Sequence, residues 1–330
     1  MDLGADHVSN SQGRAMTEPI AYLNGEYLPI SRASLHVFDL GVVGGASVTE
    51  MIRTFLHAPF RFDEHLARLE QSLASVGFET GLTMAELKVI GERVVAENAK
   101  LIPTPHDLGL IVFVTAGQNL TYLGHAGRDL ARKATVCVHT FPLPFELWAE
   151  KYQTGLSLVT VPTRSIPDDV LDSKIKHRSR LHWHIAEREA RQIEATASAV
   201  LTDHAGHLTE TAAGNVWFVR GNTLFTPGRH ILEGISRSVV LELAPELGLT
   251  TNIGDYDARE LAAADEAFVT TTPACLLPVT KLNGQRIGNG QPGPVFQKLI
   301  GCWNQLVGLN IAEQMRCGAA DRVAAQTQHE

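Results

Sequence analysis

The stretch Gly206-His207-Leu208-Thr209-Glu210-Thr211-Ala212-Ala213-Gly214-Asn215, followed by Leu232-Glu233-Gly234-Ile235-Ser236-Arg237, decides the reading of this chain. Glu210 lies among small residues between two strand-like runs, where a carboxylate can approach a flat ligand closely. The second run opens a helix. Gly234 permits close approach, the N–H groups of Ile235 and Ser236 point at an anion, and the Ser236 hydroxyl adds a donor. Read in isolation, Ser236 is also an ordinary helix cap and the Glu210 segment an ordinary hairpin connection. Thr270-Thr271-Thr272-Pro273-Ala274 ends a further strand with hydroxyls that could meet the same anion. Strand propensity explains those threonines equally well.

Outward from this core, strands and helices mix along the whole chain. Asn24-Gly25 between apolar flanks predicts a type I′ hairpin over 20–28. Ser47–Phe55 reads as a strand. Asp63 is expected to cap a helix reaching Gly77, with Leu66, Leu69 and Leu73 on one face. Thr83-Met84-Ala85-Glu86 is a capping box for a helix to about Ala99. Leu108–Thr115 and Thr135–Thr140 are apolar strands. In the second half, strands are expected at 156–161, 199–202, 216–220, 223–225 and 266–271. Helices are expected at about 178–192, 236–247 and 295–309. The domain reading is a small α+β unit over 19–141, a linker over 142–154 around Phe141-Pro142-Leu143-Pro144, and a larger α/β unit over 155–316. Residues 1–18 and 317–330 read as disordered tails.

The composition is that of a globular protein: 330 residues, 44% apolar, 19% charged, net charge −8. With no basic face, a nucleic-acid partner is not expected. No apolar run is long enough to cross a bilayer, and the first residues lack the apolar core of a secretory signal. The four cysteines show no paired spacing, so free thiols, a cytoplasmic location and no metal site are expected. His182 and His184 are two apart on a helix and face different ways, which also argues against a metal pair.

The candidate nucleophile lies in Asp172-Ser173-Lys174-Ile175-Lys176-His177-Arg178-Ser179-Arg180-Leu181. Lys174 or Lys176 could point into a cleft from the start of a helix. Cations crowd this helix start against the macrodipole, which suggests a site. A solvated basic surface is the alternative.

The order of these motifs resembles the class IV aminotransferase family of pyridoxal 5′-phosphate (PLP) enzymes, fold type IV. That family includes branched-chain aminotransferase, D-amino-acid aminotransferase and aminodeoxychorismate lyase. The similarity runs from about Ile20 to Leu309, and its most specific part is Leu201 to Val279. The resemblance implies an α/β (α+β) fold: a small N-terminal domain, a larger C-terminal pseudo-barrel domain, and a site between them in a homodimer. It implies Lys176 as the Schiff-base lysine, with Lys174 as rival, and Glu210 at the pyridine nitrogen. Ile235, Ser236 and Thr272 match the phosphate cradle, Arg53 the phosphate-binding arginine of the small domain, and Leu232 the residue packed on the ring. Val42 and Ala274 fall at substrate-side positions. The arginines that hold the substrate carboxylate in relatives fall on Gly109 and Ala116, and a tyrosine near the cofactor hydroxyl falls on Leu181. The implied activity is exchange of an amino group between an amino acid, branched-chain-like or D-configured, and a 2-keto acid. Alternatives are lyase release of pyruvate from aminodeoxychorismate and a PLP-binding regulatory homologue without turnover. Glu50, three residues before Arg53, resembles the transaminase pattern.

Overall fold

The computed structural model describes residues 18–128 and 130–327. Most of the first tail expectation, residues 1–17, therefore lies outside the described residues. The first unit is an antiparallel sheet of β1 (Ile20–Leu23), β2 (Glu26–Pro29), β3 (Ser47–Phe55), β4 (Ala58–Pro59), β5 (Leu108–Thr115) and β6 (Thr135–Pro142), in the order β2-β1-β6-β5-β3-β4. The β1–β2 turn uses Asn24 and Gly25 at φ 50° and 101°, the left-handed pair that a type I′ turn demands. A short helix α1 (Leu40–Val43) precedes β3, and α2 (Phe62–Val76) and α3 (Met84–Ala99) cover one face of the sheet. Val48 and Ile52 of β3 pack there with Leu66, Leu69, Leu87 and Val94. The Thr83–Glu86 capping box is formed. Asp63 is not the cap of α2: Arg61, at φ 55°, holds that position. Asp63 sits in the first turn, where its carboxylate takes Lys88 at 2.7 Å.

The second unit contains α4 (Lys151–Thr154), β7 (Leu156–Thr160), α5 (Leu181–Ile193), β8 (Ser198–Thr202), β9 (Leu208–Thr211), β10 (Gly214–Arg220), β11 (Thr223–Pro227), α6 (Ile235–Glu246), β12 (Thr250–Gly254), α7 (Ala258–Ala262), β13 (Glu266–Thr271), β14 (Cys275–Leu282), β15 (Gln285–Arg286), α8 (Pro294–Val307) and α9 (Ile311–Thr327). The sheet runs β12-β11-β10-β13-β14-β7-β8-β9, and β9 also pairs with β10. That last pairing closes β10, β13, β14, β7, β8 and β9 into a six-stranded pseudo-barrel. Leu158, Val200, Val216, Phe218, Val269 and Val279 belong to one buried cluster of these strands. The fold is the expected α/β arrangement of a small sheet domain and a larger pseudo-barrel.

Two boundary expectations change. The segment 142–154 is packed, because Leu143 and Phe145 are buried in the main hydrophobic cluster. Residues 317–327 are helical as the end of α9, and Gly318 lies so close to Phe145 that an added Cβ would stand 2.4 Å from its ring. Only 328–330 of that second tail fall outside the described residues.

The two units are joined by a buried polar clamp. Arg53 of β3, 1% exposed, donates to the Pro273 carbonyl at 2.9 Å and to Gln314 Oε1 of α9 at 3.0 Å. Gln314 in turn donates to Asp107 at 2.6 Å. Asp107 also accepts from Thr54 and the His57 N–H at 2.7 and 2.9 Å. A buried guanidinium is tolerated only when its donors are met. Arg53→Ala strands Asp107, Gln314 and the Pro273 carbonyl together. The expected cost is about 3–5 kcal/mol, measured as a shift in the urea midpoint at unchanged m-value.

Candidate active site

The site begins at the free edge of β3. Residues 176–178 lie along it as a single extended piece: the Thr49 N–H donates to the Lys176 carbonyl at 2.8 Å and the Arg178 N–H to Ser47 at 3.3 Å. The Lys176 N–H donates to the buried Ser72 hydroxyl of α2 at 3.2 Å. These bonds fix the backbone from which the Lys176 side chain reaches a cleft between the two units. Arg68, Glu210, Asn215, Leu232, Ile235, Ser236, Thr271 and Thr272 line that cleft with it. Lys174 does not line it; its ammonium pairs with exposed Glu233 at 3.2 Å.

Burial pulls the Lys176 ammonium down to about 8; Glu50 and Glu210 oppose the drop, and Arg68 and Arg180 add to it. Glu210 stands on β9, paired in register with Asn215 of β10. Burial pushes its carboxyl up to about 7, against the Leu232 N–H and the cations Lys176, Arg180 and Arg68. Its oxygen accepts from the Leu232 N–H at 3.1 Å and from Asn215 at 3.3 Å, while Asn215 also donates to the Leu232 carbonyl at 2.8 Å. Asn215 thus ties the acid to the segment carrying Leu232. Two glycines make the assembly possible. A Cβ on Gly214 would stand 2.0 Å from the Thr270 carbonyl, and one on Gly234 2.3 Å from the Asn215 side chain.

The anion end is the start of α6. Gly234, not Ser236, is the N-cap, without a side-chain capping bond, so Ile235 and Ser236 are the first two helical residues. The first N–H groups of a helix lack intrahelical partners. Beside them the Thr271 hydroxyl is buried with no hydrogen-bond partner among the described residues.

Three expected site residues are elsewhere. Arg53 does not line the cleft; its guanidinium is committed to the clamp described above, and it supports the Thr271–Cys275 turn from beneath. Val42 is 58% exposed on α1, and Ala274 is fully buried with its carbonyl accepting from Tyr152 at 2.5 Å. Neither lines the cleft.

The arginine that does line it, Arg68, is absent from the sequence-based set. It is held by Glu50, which takes its Nε at 2.7 Å and its terminal nitrogen at 2.8 Å, and by the Glu233 carbonyl at 2.8 Å. His65 completes the set with its Nδ1 2.7 Å from Glu50. Burial opposes ionisation of Glu50, but Arg68 and His65 outweigh it and hold the carboxyl at about 2. The available signal was a charge on the wrong face: Arg68 lies one residue before Leu69 on the buried stripe of α2. A charge there needs a partner or a ligand.

Comparison with known proteins now bears on this geometry. A family model described as amino-transferase class IV matches residues 47–282. The chain belongs to the class IV aminotransferase family. It is similar to the D-alanine aminotransferase of Bacillus licheniformis, 32% identical, covering 84% of this chain and 93% of that protein. It is also similar to the aminodeoxychorismate lyase of Bacillus subtilis, 26% identical, covering 81% and 88%. Among solved structures, the branched-chain amino acid aminotransferase of T.th., solved with pyridoxamine 5′-phosphate, superposes with a TM-score of 0.77 at 25% identity, over 88% of this chain and 95% of that one. Among the described residues no helix is long and apolar enough to cross a membrane, and no cluster of side chains could hold a metal.

The raised Glu210 carboxyl has a thermodynamic consequence for the ligand-free protein. The folded state holds this proton more tightly than the unfolded chain does, where the pKa is about 4.3. Its contribution is therefore full below about 4.3 and is lost as pH rises through about 7. Glu210→Gln removes the titration. The variant's melting temperature relative to wild type should rise between pH 5 and pH 8, by the equivalent of ~2 kcal/mol. A pH-independent difference would show that Glu210 ionises normally.

Proposed function

We propose that this protein is a PLP-dependent aminotransferase that moves an amino group between an amino acid and a 2-keto acid, with Lys176 as the cofactor-bearing lysine. The observation that carries this reading is the facing of Lys176 and Glu210 across a cleft that ends in a helix start and an unpartnered buried hydroxyl. The residues fit the cofactor. Glu210, held by Asn215 and the Leu232 N–H, is the acid for the pyridine nitrogen. Ile235, Ser236, Thr271, Thr272 and Arg68 would receive the phosphate, and Leu232 would pack on the ring. When bound, PLP supplies an electron sink for charge that develops at the amino-bearing carbon.

The chain's own part is proton handling and orientation. An amine held near 8 is partly unprotonated at neutral pH, so Lys176 Nζ can both take and return a proton in each half of the exchange. Glu50 fixes the Arg68 fork by two charge-assisted bonds, so the phosphate donor is oriented before any ligand arrives. Similarity to a D-alanine aminotransferase at 32% identity, against 26% to the lyase, also favours amino transfer.

Purified protein should be yellow, and borohydride reduction should fix the cofactor on Lys176; an adduct on Lys174 would sink the assignment. Holoenzyme mixed with L- and D-amino acids should convert spectrally to the pyridoxamine form and yield the keto acid. Pyruvate release from aminodeoxychorismate without that conversion would instead make the protein a lyase. Arg68→Ala should weaken PLP binding at least about tenfold in an equilibrium titration. Glu50→Gln should weaken it less.

A further inference from the structure

We infer that Arg180 is the group that receives the substrate's carboxylate, from the helix α5 side of the cleft rather than from the small-domain sheet. The inference rests on the aminotransferase reading above and deepens it. An amino acid presents a carboxylate next to the reacting amine, so a cation must lie near Lys176 but apart from the phosphate end. The sheet offers none at the positions expected from the resemblance. A Cβ on Gly109 would stand 2.5 Å from the Phe141 ring, which leaves no room for a side chain there. Ala116 is buried and uncharged. The turn after β13 contributes no N–H at Pro273.

Arg180 meets the requirement. Two adjoining cavities share Lys176, Glu210, Leu232 and Arg180. Only one of them contains Arg68, Ser236 and Thr272; the other is lined by His177, His182 and Trp183. Arg180 therefore borders both the phosphate-side cavity and a second space that the cofactor cradle does not use. Its guanidinium carbon stands 5.8 Å from the centre of the Trp183 ring, a buried platform, and its terminal nitrogen donates to the Ala212 carbonyl. One face and one N–H are thus fixed. It makes no ion pair among the described residues, in contrast to Arg68, which is committed to Glu50. Leu181, at the tyrosine position of relatives, is 72% exposed and lines neither cavity. Arg178 is the neighbouring cation, but it lies over Phe113 at 5.0 Å and borders neither cavity.

The experiment uses holoenzyme of wild type, Arg180→Gln, Arg180→Lys and Arg178→Gln, with thermal melts to check folding. Three quantities are compared: KM for the best amino acid, KM for the amine of the same side chain lacking the carboxylate, and Kd of the matching monocarboxylate lacking the amine, by calorimetry. Arg180→Gln should raise the amino-acid KM and the monocarboxylate Kd about 10- to 100-fold, leaving the amine within about twofold. Arg180→Lys should recover part of the loss, since it restores the charge without the fork. Arg178→Gln should change neither. An unmoved monocarboxylate Kd in both Arg180 variants, or the loss appearing in Arg178→Gln instead, overturns the inference while leaving the aminotransferase reading intact. A wild type without the Lys176 adduct or without amino-acid turnover overturns both.

Discussion

One short backbone pairing organises this protein: the extended residues 176–178 laid against the free edge of β3. It fastens the segment leading into α5 to a strand of the first unit and sets where Lys176 emerges. Everything else at the cleft is arranged about the same strand. One face of β3 presents Glu50 to Arg68 and His65 of α2. The other presents Arg53 to the Thr271–Cys275 turn and to α9. Alternation along a strand thus assigns two buried charges three residues apart to opposite tasks: one fixes Arg68 at the cleft, the other ties the two units together.

The electrostatics follow from that arrangement. Arg68, Lys176 and Arg180 are gathered about a cleft whose main acid, Glu210, is itself half withdrawn from water. Burial lowers the lysine, with Arg68 and Arg180 adding to the drop, and burial raises the carboxyl against the same cations. Groups so displaced exchange protons readily near pH 7, whereas Glu50, with Arg68 and His65 on it, stays ionised and serves only to hold. The two glutamates thus behave differently because their partners differ: Glu50 holds Arg68 and His65, and Glu210 accepts from Asn215 and the Leu232 N–H.

Much of this was legible in the chain. The hairpin at Asn24-Gly25, the capping box at Thr83 and the helix start at Gly234-Ile235-Ser236 are local, and local chemistry fixes them. The site residues Lys176, Glu210, Leu232, Ile235, Ser236 and Thr272 all line the cleft. The misplacements have a common origin. Arg53 and Arg68 are both basic residues in apolar surroundings, and choosing between them requires knowing which face of β3 and which face of α2 look toward α6. The tail read over 317–330 has weak amphipathic character; α9 is held by contacts such as Gln314 and Gly318 with partners far away in the chain.

By itself the sequence determined the hairpin, the capping box, many of the strands and helices and so the α/β class, because caps, turns and strand patterns depend on neighbours within a few positions; the cofactor residues were implied by a resemblance in the order of motifs. Only the tertiary structure decided which cations share the cleft. Lys176 is chosen over Lys174, and Arg68 over Arg53, by which side chains the β3 edge and the closure of β9 on β10 direct inward. Those are contacts between residues more than a hundred positions apart for Lys176 and Ser72, or Arg68 and Glu233, and no local pattern encodes such a distance.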